Sequence, residues 1–445
     1  MTATDKASSR GGLSSAPYWW EAAPRPALPD TALPASIDVA IVGSGITGLN
    51  AARVLAAAGR SVLVLEAQEP RYGGSSRNAG YVGRVLMHSL ASLIARHGEA
   101  RAVAIYRELR AAYDAVGETV REEAIDCAYK VCGRFIAANS PRQYEELARE
   151  LELRKKHLGD EFEMVPRAAQ HRELGSALYH GGALILDFAS LDPGRYHLGL
   201  LTSALRSGAA IAANASVEAV HGSGPFDIVT SRGRTRARNV IVATNGYTGP
   251  AVGWLQRRVV PFDAFMIATA ELRPELLARL LPHDRTVLDT NHNINFVRRS
   301  PDGTRLLMGG RTGSRMPTPE AAAARLSREL ARIFPDLVGV ELSHSWTGRC
   351  AATFDFFPHI GVHQGIHYAL GYCFAGIPMG THFGRKLALK ILGSKESATA
   401  FDDRPFPTLP LYNGNPWFVP SIMRGVDLAD RWHARGHAQA ADPTR

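Results

Sequence analysis

The sequence predicts an α/β fold, in which a Rossmann-like domain carries an inserted second domain built on a mixed, largely antiparallel sheet. A strand, a glycine-rich loop, a helix and another strand follow one another in residues 39–66. Residues 209–249 are typical of a run of strands ending in a second glycine-containing turn. Residues 366–393 add a strand, a glycine-rich loop and a helix. The Rossmann-like domain is therefore predicted to be assembled from separated segments.

The first segment, VAIVGSGITGLNAARVLAAAGRSVLVLE, contains a GxGxxG pattern between a predicted strand and a predicted helix. Gly43 allows the tight turn, Gly45 lets the backbone approach a diphosphate at the helix N-terminus, and Gly48 allows close helix–strand packing. Glu66 ends the second strand, where it is placed to accept hydrogen bonds from ribose hydroxyls, and an acid there argues against a 2′-phosphate. This pattern predicts a dinucleotide site without separating NAD from FAD.

The segment after Glu66, EPRYGGSSRNAGYVG, departs from a simple NAD-binding domain, which would usually continue into another βα unit. The small and hydroxyl-bearing residues at positions 73–80 could wrap a diphosphate and the edge of a larger ring system. A surface turn is the alternative that this segment alone leaves open.

The remaining elements follow from periodicity. Apolar residues at helical spacing predict a long helical stretch from about residue 87 to residue 123. Residues 127–138 are strand-like, and residues 142–159 predict a helix with a charged exposed side. Residues 259–310 and the helix at 318–335 indicate antiparallel strands covered by helices.

The N-terminal residues are rich in Pro, Ser and Ala and predict an extended surface arm. Tyr18, Trp19 and Trp20 are expected to anchor this arm on the folded body, because exposed aromatic side chains are costly. The predicted domain boundaries are 1–35 for the arm; 36–120, 183–255 and 343–395 for the Rossmann-like domain; 121–182 and 256–342 for the inserted substrate domain; and 396–445 for a C-terminal extension.

The formal charge of +9 raises the question of nucleic-acid binding. The sequence contains no basic tract interleaved with aromatic residues, so that class is not expected. The scattered arginines fit the steering of anionic small molecules, or no function at all.

Cysteine usage and hydropathy predict a cytoplasmic protein. Cys127, Cys132, Cys350 and Cys373 match no zinc-site spacing, so no metal is expected, and they form no disulfide framework. A reducing compartment is the simplest interpretation. The N-terminal region lacks an apolar signal segment, and no run approaches the roughly 18 apolar residues of a membrane span.

Five segments together resemble a known family. They are VAIVGSGITGLNAA with VLVLE, GGSSRNAGYV, VIVATNGYTG, WTGRCAATFDFFPHIG and GYCFAGIPMGTHFGRKLA. The combination resembles the FAD-dependent amine and amino-acid oxidoreductases of the D-amino-acid oxidase type, and within them most closely the γ-glutamylputrescine oxidase branch. The resemblance runs from about Tyr18 to Trp417. It implies FAD as the cofactor and a glutathione-reductase-type Rossmann domain.

The resemblance also implies which residues bind FAD. The first loop and Glu66 hold the dinucleotide, one strand position contacts the adenine, and the last segments border the flavin ring. The implied residues are Gly43, Gly45, Ile46, Thr47, Gly48, Glu66, Ala67, Gly74, Ser75, Ser76, Arg77, Asn78, Ala79, Gly80, Val217, Ala243, Thr244, Gly246, Gly348, Arg349, Gly376, Gly380 and Thr381.

The substrate pocket is expected to be aromatic, because an apolar pocket favours the neutral amine that flavin chemistry needs. Core packing is the alternative for each aromatic candidate. The pocket candidates are Tyr81, Phe296, Trp346, Arg349 and Tyr372; Arg298, Arg311 and Arg349 are candidates to hold a substrate carboxylate; and His359, His367 and His382 are expected to be structural.

Three departures from the family pattern bear on chemistry. Some relatives bind FAD through a cysteine, but Cys350 lies two residues from that position, so non-covalent FAD is expected. Those relatives carry a lysine in the last glycine-rich loop, near the position where this chain has Pro378. This chain therefore lacks a lysine there that could bind a substrate carboxylate. Residues 374–376 read Phe-Ala-Gly where the branch usually has Gly-His-Gly. The substrate is accordingly left open.

Three functions are compatible with these observations. The first is oxidation of a primary or secondary amine, possibly carboxylate-bearing or γ-glutamylated, to an imine that hydrolyses. The second is oxidation of an N-methyl or D-amino acid. The third is a non-catalytic flavin-binding protein. The electron acceptor is expected to be O2, with a dehydrogenase using another acceptor as the alternative, and the oligomeric state is open.

Overall fold

The computed structural model describes residues 12–24, 27–310, 318–426 and 428. The helices discussed below are α1 Ile46–Ala57, α2 Leu90–His97, α3 Glu99–Glu122, α4 Pro141–Leu158, α5 Pro193–Arg206, α6 Gly253–Gln256, α7 Pro274–Leu280, α8 Pro319–Ile333 and α9 Gly376–Ile391. The strands are β1 Ser36–Val42, β2 Val62–Leu65, β3 Tyr81–Val82, β4 Lys130–Val131, β5 Arg134–Ala137, β6 Glu163–Val165, β7 Gly182–Ile185, β8 Ala189–Ser190, β9 Ala210–Ala212, β10 Val217–His221, β11 Phe226–Thr230, β12 Gly233–Val242, β13 Val259–Thr269, β14 Thr286–Asp289, β15 Asn295–Arg299, β16 Leu306–Gly310, β17 Leu342–Thr353, β18 His359–His363 and β19 Ile366–Leu370.

The first sheet is built on β1, which lies between β12 and β2, both parallel to it. β9 and β19 extend the parallel part, whereas β10, β11 and β18 add antiparallel pairs. Val39 and Ile41 pack in one apolar cluster with α1 and α9, while Ala40 packs in another on the opposite face. Burial on both faces explains the continuous apolar run of β1. The predicted Rossmann-like fold is confirmed.

The second sheet has the strand order β17-β13-β16-β15-β14-β5-β7-β6. All its pairs are antiparallel except β14 with β5, so the predicted mixed and largely antiparallel sheet is confirmed. One face packs on α7 and α8 through an apolar cluster that includes Phe265 and Ile267. The opposite face carries Met266 and Trp346, which pack against Trp19 of the arm. We call this second face the inner face.

The predicted helical stretch from about residue 87 to 123 is helical in the structure, but a break that was not predicted divides it into two helices. α2 ends and α3 begins at Gly98, whose φ is +78°. A left-handed residue interrupts the α-helical hydrogen-bond ladder, and glycine adopts that conformation at little cost. The apolar periodicity continues across the break, which is why the sequence pattern did not reveal it.

The two large sheets do not follow the predicted domain boundaries at every strand. β17 pairs with β13 in the second sheet, although residues 343–395 were assigned to the Rossmann-like domain. β7 also belongs to the second sheet. A small third sheet, β3-β8-β4, lies apart from both. The exact domain boundaries remain a prediction.

Across the described part of the chain, no helix combines the length and apolarity needed to traverse a lipid bilayer.

Candidate active site

The loop between β1 and α1 is shaped by close backbone approaches. Gly43 has a φ of +101°, a conformation that favours glycine. A Cβ on Gly48 would lie 2.0 Å from the Gly43 carbonyl oxygen, and a Cβ on Gly45 would lie 2.9 Å from the Ser75 hydroxyl. α1 begins directly after Gly45, and the Ile46 N–H donates to Ser75 Oγ (3.0 Å). The loop therefore presents bare backbone at a helix N-terminus, the usual setting for a diphosphate.

Glu66 braces this loop from the end of β2. Its Oε2 accepts hydrogen bonds from the Ser44 N–H (2.9 Å) and the Ser44 hydroxyl (2.6 Å). Carboxylate oxygens accept more than one hydrogen bond each, so this contact leaves capacity for a ribose hydroxyl. Ala67, the next residue, is exposed. The Ala215 N–H donates to the Glu66 carbonyl (2.8 Å), and Val217 follows two residues later.

A second loop, residues 73–80, lies against the first. Asn78 holds it closed, since its Nδ2 donates to the Ser75 carbonyl (2.8 Å) and its Oδ1 accepts from the Gly80 N–H (2.9 Å). Ser76 Oγ donates to the Arg71 carbonyl (2.5 Å). Gly80 has a φ of +72°, and a Cβ there would lie 2.1 Å from the Leu191 carbonyl oxygen. The segment is a hydrogen-bonded turn packed against the first loop, and its role in cofactor binding stays a prediction.

Backbone from two distant segments closes on these loops. The Ala243 carbonyl oxygen would lie 3.1 Å from a Cβ on Gly43, and Thr244 Cγ2 lies next to it. A Cβ on Gly246 would meet the Cys350 carbonyl oxygen at 2.4 Å. A Cβ on Gly74 would meet the Arg349 carbonyl oxygen at 2.8 Å.

The start of α9 packs on the start of α1. A Cβ on Gly380 would lie 3.0 Å from Thr47 Oγ1, and Thr47 Oγ1 hydrogen-bonds the Tyr372 hydroxyl (2.6 Å). Thr381 accepts a hydrogen bond from the Tyr196 hydroxyl (2.9 Å) and donates to the carbonyl of the preceding helical turn. Gly376, the first residue of α9, has open space where a Cβ would stand. The structure therefore brings the sequence-predicted cofactor segments together.

These residues fit a dinucleotide of the size of FAD. Glycine backbone at the start of α1 suits the diphosphate, and loop 73–80 continues the same cradle toward β17 and the inner face. A Cβ on Gly348 would lie 3.1 Å from the Cβ of Arg77, so β17 reaches the end of the cradle. Filling the cradle with any larger side chain at Gly45 or Gly74 would displace Ser75 or the Arg349 carbonyl.

The inner face of the second sheet meets loop 73–80. Trp346 Nε1 donates to the Arg77 carbonyl (2.9 Å). The rings of Tyr81 and Phe296 meet edge to face with centroids 5.7 Å apart. Phe262 and Ala264 lie on the same face as Trp346, because strand positions two apart share a face, and both are partly exposed. We call Tyr81, Phe262, Ala264 and Phe296 the apolar patch.

The side chains of the inner face are uncharged along the parts of β13 and β17 that reach the cradle. These positions are Phe262, Ala264, Met266, Trp346, Gly348 and Cys350. Burial raises the pKa of the Tyr81 phenol above its usual range, so this hydroxyl is neutral at every physiological pH. It donates to the carbonyl oxygens of Val297 (2.7 Å) and Val287 (3.1 Å).

Two other predicted pocket residues lie elsewhere. Tyr372 is buried behind α1, where its hydroxyl donates to the Ala369 carbonyl (2.9 Å). Arg349 leaves β17 on the face opposite Gly348 and Cys350, where its Nε lies 3.4 Å from Asp263 and its guanidinium lies over the Tyr247 ring. The structure therefore does not bring Tyr372 and Arg349 together with the apolar patch.

Among the described residues, no other arginine candidate has a guanidinium group available to bind a substrate carboxylate. Arg298 is buried, and its Nη1 donates to the carbonyl oxygens of Ala79, Gly80 and Leu191. Arg311 lies outside the described residues. His359 Nε2 lies 3.0 Å from Asp355 Oδ1, and His382 Nε2 lies 2.5 Å from Glu108 Oε1, which suits the expected structural role. His367 is half-buried.

Cys350 is the cysteine closest to the predicted flavin segments in sequence. It lies on the inner face, opposite Phe262 across the β13–β17 pair. Burial raises the pKa of its thiol to about 12, so the thiolate needed for covalent attachment is scarce.

Sequence reasoning missed His197 and the contact that Trp20 makes with the cradle. His197 is fully buried and its Nε2 donates to the Ser44 carbonyl (2.8 Å), while burial lowers its pKa to about 4. Trp20 of the arm donates from Nε1 to Ser76 Oγ (2.9 Å). The expected anchoring of the arm is confirmed, since Trp19 is fully buried. The sequence contained the aromatic cluster as a signal for the arm but nothing that singled out His197.

The two-sheet fold and the glycine cradle are compatible with a dinucleotide-dependent enzyme. A family model described as FAD dependent oxidoreductase (DAO) matches residues 38–389. The chain therefore belongs to this family, FAD is its cofactor, and the resemblance drawn from the motifs is confirmed.

Similar proteins agree with this assignment. The gamma-glutamylputrescine oxidoreductase of Escherichia coli (strain K12) is 29% identical over 399 residues, which are 88% of this chain and 93% of that protein. The glycine oxidase of Geobacillus kaustophilus (strain HTA426) is 25% identical over 392 residues, 83% of this chain and 96% of that protein. The crystal structure of glycine oxidase from Geobacillus kaustophilus matches with a TM-score of 0.71 at 22% identity, covering 85% of this chain and 99% of that one. At that identity the structural match supports the fold.

Proposed function

We propose that the chain oxidises the C–N bond of an amine to an imine, which hydrolyses to an aldehyde or ketone, with O2 as the final electron acceptor. The observation that carries this proposal is the apolar patch on the inner face at the end of the cradle. The similarity to a gamma-glutamylputrescine oxidoreductase supports an amine as the substrate class. A γ-glutamylated or other carboxylate-bearing amine is the finer form of the proposal, with Arg311 as its candidate ligand.

Bound FAD supplies the two-electron acceptor for this chemistry. The residues of the chain do the rest by positioning and desolvation. The apolar patch lowers the pKa of an amine that it encloses, because burial disfavours the ammonium form. Its side chains also exclude water from the C–H bond that reacts. No acid–base pair is required of the protein, since the amine enters in its neutral form.

We propose that the cradle holds FAD without a covalent bond. Gly45 and the start of α1 bind the diphosphate through backbone N–H groups, Gly43 and Gly48 give the loop its tight turn and close packing, and Glu66 binds the adenosine ribose. Loop 73–80, the turn at 243–246 and the start of α9 line the rest of the cofactor. Acid precipitation of the protein is expected to leave the flavin in the supernatant, whereas flavin that stays with the pellet would contradict this proposal.

Anaerobic mixing with a panel of amines and amino acids tests the function. The panel contains monoamines, diamines, a γ-glutamylated diamine, sarcosine, glycine and D-amino acids. Loss of the yellow absorbance with amines but not with amino acids is the expected result. Loss of the yellow absorbance with glycine, sarcosine or D-amino acids alone would indicate an amino-acid substrate instead of an amine. A flavin that no compound reduces would favour a non-catalytic role.

The electron acceptor is tested on the reduced enzyme. Admission of air is expected to restore the yellow colour within the turnover time and to release peroxide. Slow recovery in air with rapid recovery on adding a quinone would instead indicate a dehydrogenase. A cytoplasmic location remains part of the proposal and is tested by fractionation of the cells that make the protein.

A further inference from the structure

Phe374 occupies an unusual backbone position for a bulky side chain. It lies in the loop between β19 and α9, and its φ is +75°. That left-handed conformation is strained for a residue with a Cβ and is common for glycine. The residue is nevertheless 46% exposed, so the strain is not offset by complete burial in the core. Strain held at such a position points to a use for the side chain.

The ring of Phe374 contacts the apolar patch. Its centroid lies 5.3 Å from that of Phe262, with the two planes tilted. Phe262 stands opposite Cys350 in the β13–β17 pair and therefore belongs to the inner face. The loop is tied to β17 by the hydrogen bond from the Cys373 N–H to the Ala351 carbonyl (3.2 Å). Phe374 is thus held at the edge of the patch rather than loose in solvent.

We propose that Phe374 and Phe262 form an aromatic wall that selects an amine with an apolar alkyl or aryl group beside the reacting carbon. This inference rests on the proposed function and names the substrate class of the same site. The half-exposed ring of Phe374 and the partly exposed ring of Phe262, with centroids 5.3 Å apart, together offer an apolar surface. The adjacent inner-face positions Ala264 and Cys350 are small and uncharged, so the wall discriminates by apolar contact rather than by charge.

The test compares Phe374→Gly with a matched control. Phe356→Gly removes another phenylalanine that is half-exposed, at 48%, and has a positive φ of +56°. Both substitutions relieve backbone strain, so both variants are expected to fold and to keep their flavin. For Phe374→Gly we expect kcat/KM for butylamine and benzylamine to fall about tenfold relative to methylamine, the usual effect of a lost apolar contact. Phe356→Gly is expected to leave these ratios unchanged.

A binding measurement separates this inference from the proposed function. Aniline has no C–H bond on the carbon that bears its nitrogen, so it cannot be oxidised to an imine there. Its dissociation constant, followed by the change in flavin absorbance, is expected to rise about tenfold in Phe374→Gly and not in Phe356→Gly. If no amine reduces the wild-type flavin but aniline still binds in this Phe374-dependent way, the proposed function fails and the aromatic wall stands. Equal dissociation constants for aniline in the three proteins would overturn the aromatic wall. An equal fall in kcat/KM for all the amines in Phe374→Gly would also overturn it.

Discussion

At the scale of single residues, close approaches between backbone segments at glycines shape the cofactor site. The pattern of Gly43, Gly45 and Gly48 was predictable because each glycine serves a local turn or contact. His197 was not predictable, because one buried histidine leaves no periodic signal in a sequence. The direction of Arg349 was also beyond the sequence, since a strand position faces one side or the other only once its register is fixed.

Replacing Gly48 with alanine tests the contact between α1 and its loop. The new Cβ would stand 2.0 Å from the Gly43 carbonyl oxygen, so the loop must move. We expect the free energy of unfolding to fall by about 2 kcal/mol or more, and flavin to be lost on purification. Gly253→Ala is the control, because nothing lies within 4 Å of its added Cβ. Normal flavin content in Gly48→Ala, measured by absorbance, would be incompatible with the cradle.

His197 makes stability depend on pH. Its pKa is lowered to about 4 in the folded protein, below the ordinary value of 6.5, so the unfolded chain binds the proton more readily. Stability is therefore full above the unfolded pKa and falls as the pH drops from about 6.5 toward 4. Between pH 7.5 and 5.0 this residue contributes a loss of about 2 kcal/mol.

The variant His197→Gln isolates that effect. Glutamine keeps an N–H donor for the Ser44 carbonyl but does not titrate. Urea unfolding at the two pH values is expected to give a smaller loss of stability for the variant than for the wild type. An identical loss in both proteins would show that His197 does not titrate between its folded and unfolded states as described.

At the scale of elements, the N-terminal arm acts on the cradle. Trp20 donates to Ser76, and the guanidinium carbons of Arg71 and Arg77 lie over its ring, 4.7 Å and 4.6 Å from the ring centroid. Ser76 in turn fixes loop 73–80 through the Arg71 carbonyl. The clustered aromatics made the anchoring of the arm predictable. The partner of Trp20 was not predictable, because it lies 56 positions away in the chain.

The variant Trp20→Phe keeps an aromatic ring and removes the indole N–H. We expect the flavin dissociation constant to rise about tenfold, because Ser76 loses one hydrogen-bond partner and loop 73–80 loosens. Trp417→Phe is the control, since that side chain is 75% exposed. The constants are measured by fluorescence recovery of free flavin. Equal affinities in both variants would remove the arm from the account of cofactor binding.

Element boundaries were less predictable than element types. The membership of β17 in the second sheet depends on tertiary contacts, whereas the helix break depends on the left-handed conformation of Gly98. β17 pairs with β13, with Val259 opposite Thr353 at one end of the ladder. This pairing joins residues that are distant in the chain, so local sequence does not decide which sheet β17 joins. The strand and helix types themselves followed from apolar periodicity, which is a local property.

At the scale of the whole molecule, the two large sheets meet at the cradle. The first sheet positions the dinucleotide segments, and the inner face of the second sheet closes the far end. The fold was predictable because glycine loops recur at three separated places in the chain. The sequence indicated Tyr81 and Phe296 as pocket candidates but not Phe262 or Phe374, because only the tertiary structure brings these two rings together.

Flavin binding is expected to stabilise the whole molecule, because the cradle joins segments from both sheets. Ligand that binds only the folded state adds about 2.7 kcal/mol at a concentration of 100 times its dissociation constant. Thermal unfolding of the flavin-free protein with and without added FAD measures this. Addition of riboflavin, which lacks the diphosphate and adenosine, is expected to raise Tm much less, and equal increases would count against the diphosphate cradle.

Amine oxidation is proposed to take place against the apolar patch, and the variant Ala264→Leu probes this location. Ala264 is partly exposed on the inner face, so the larger side chain occupies the space proposed for the substrate without touching the cradle glycines. The variant is expected to keep its flavin while anaerobic flavin reduction by an amine that reduces the wild type slows by about 100-fold or more. Undiminished flavin reduction in Ala264→Leu would contradict the account.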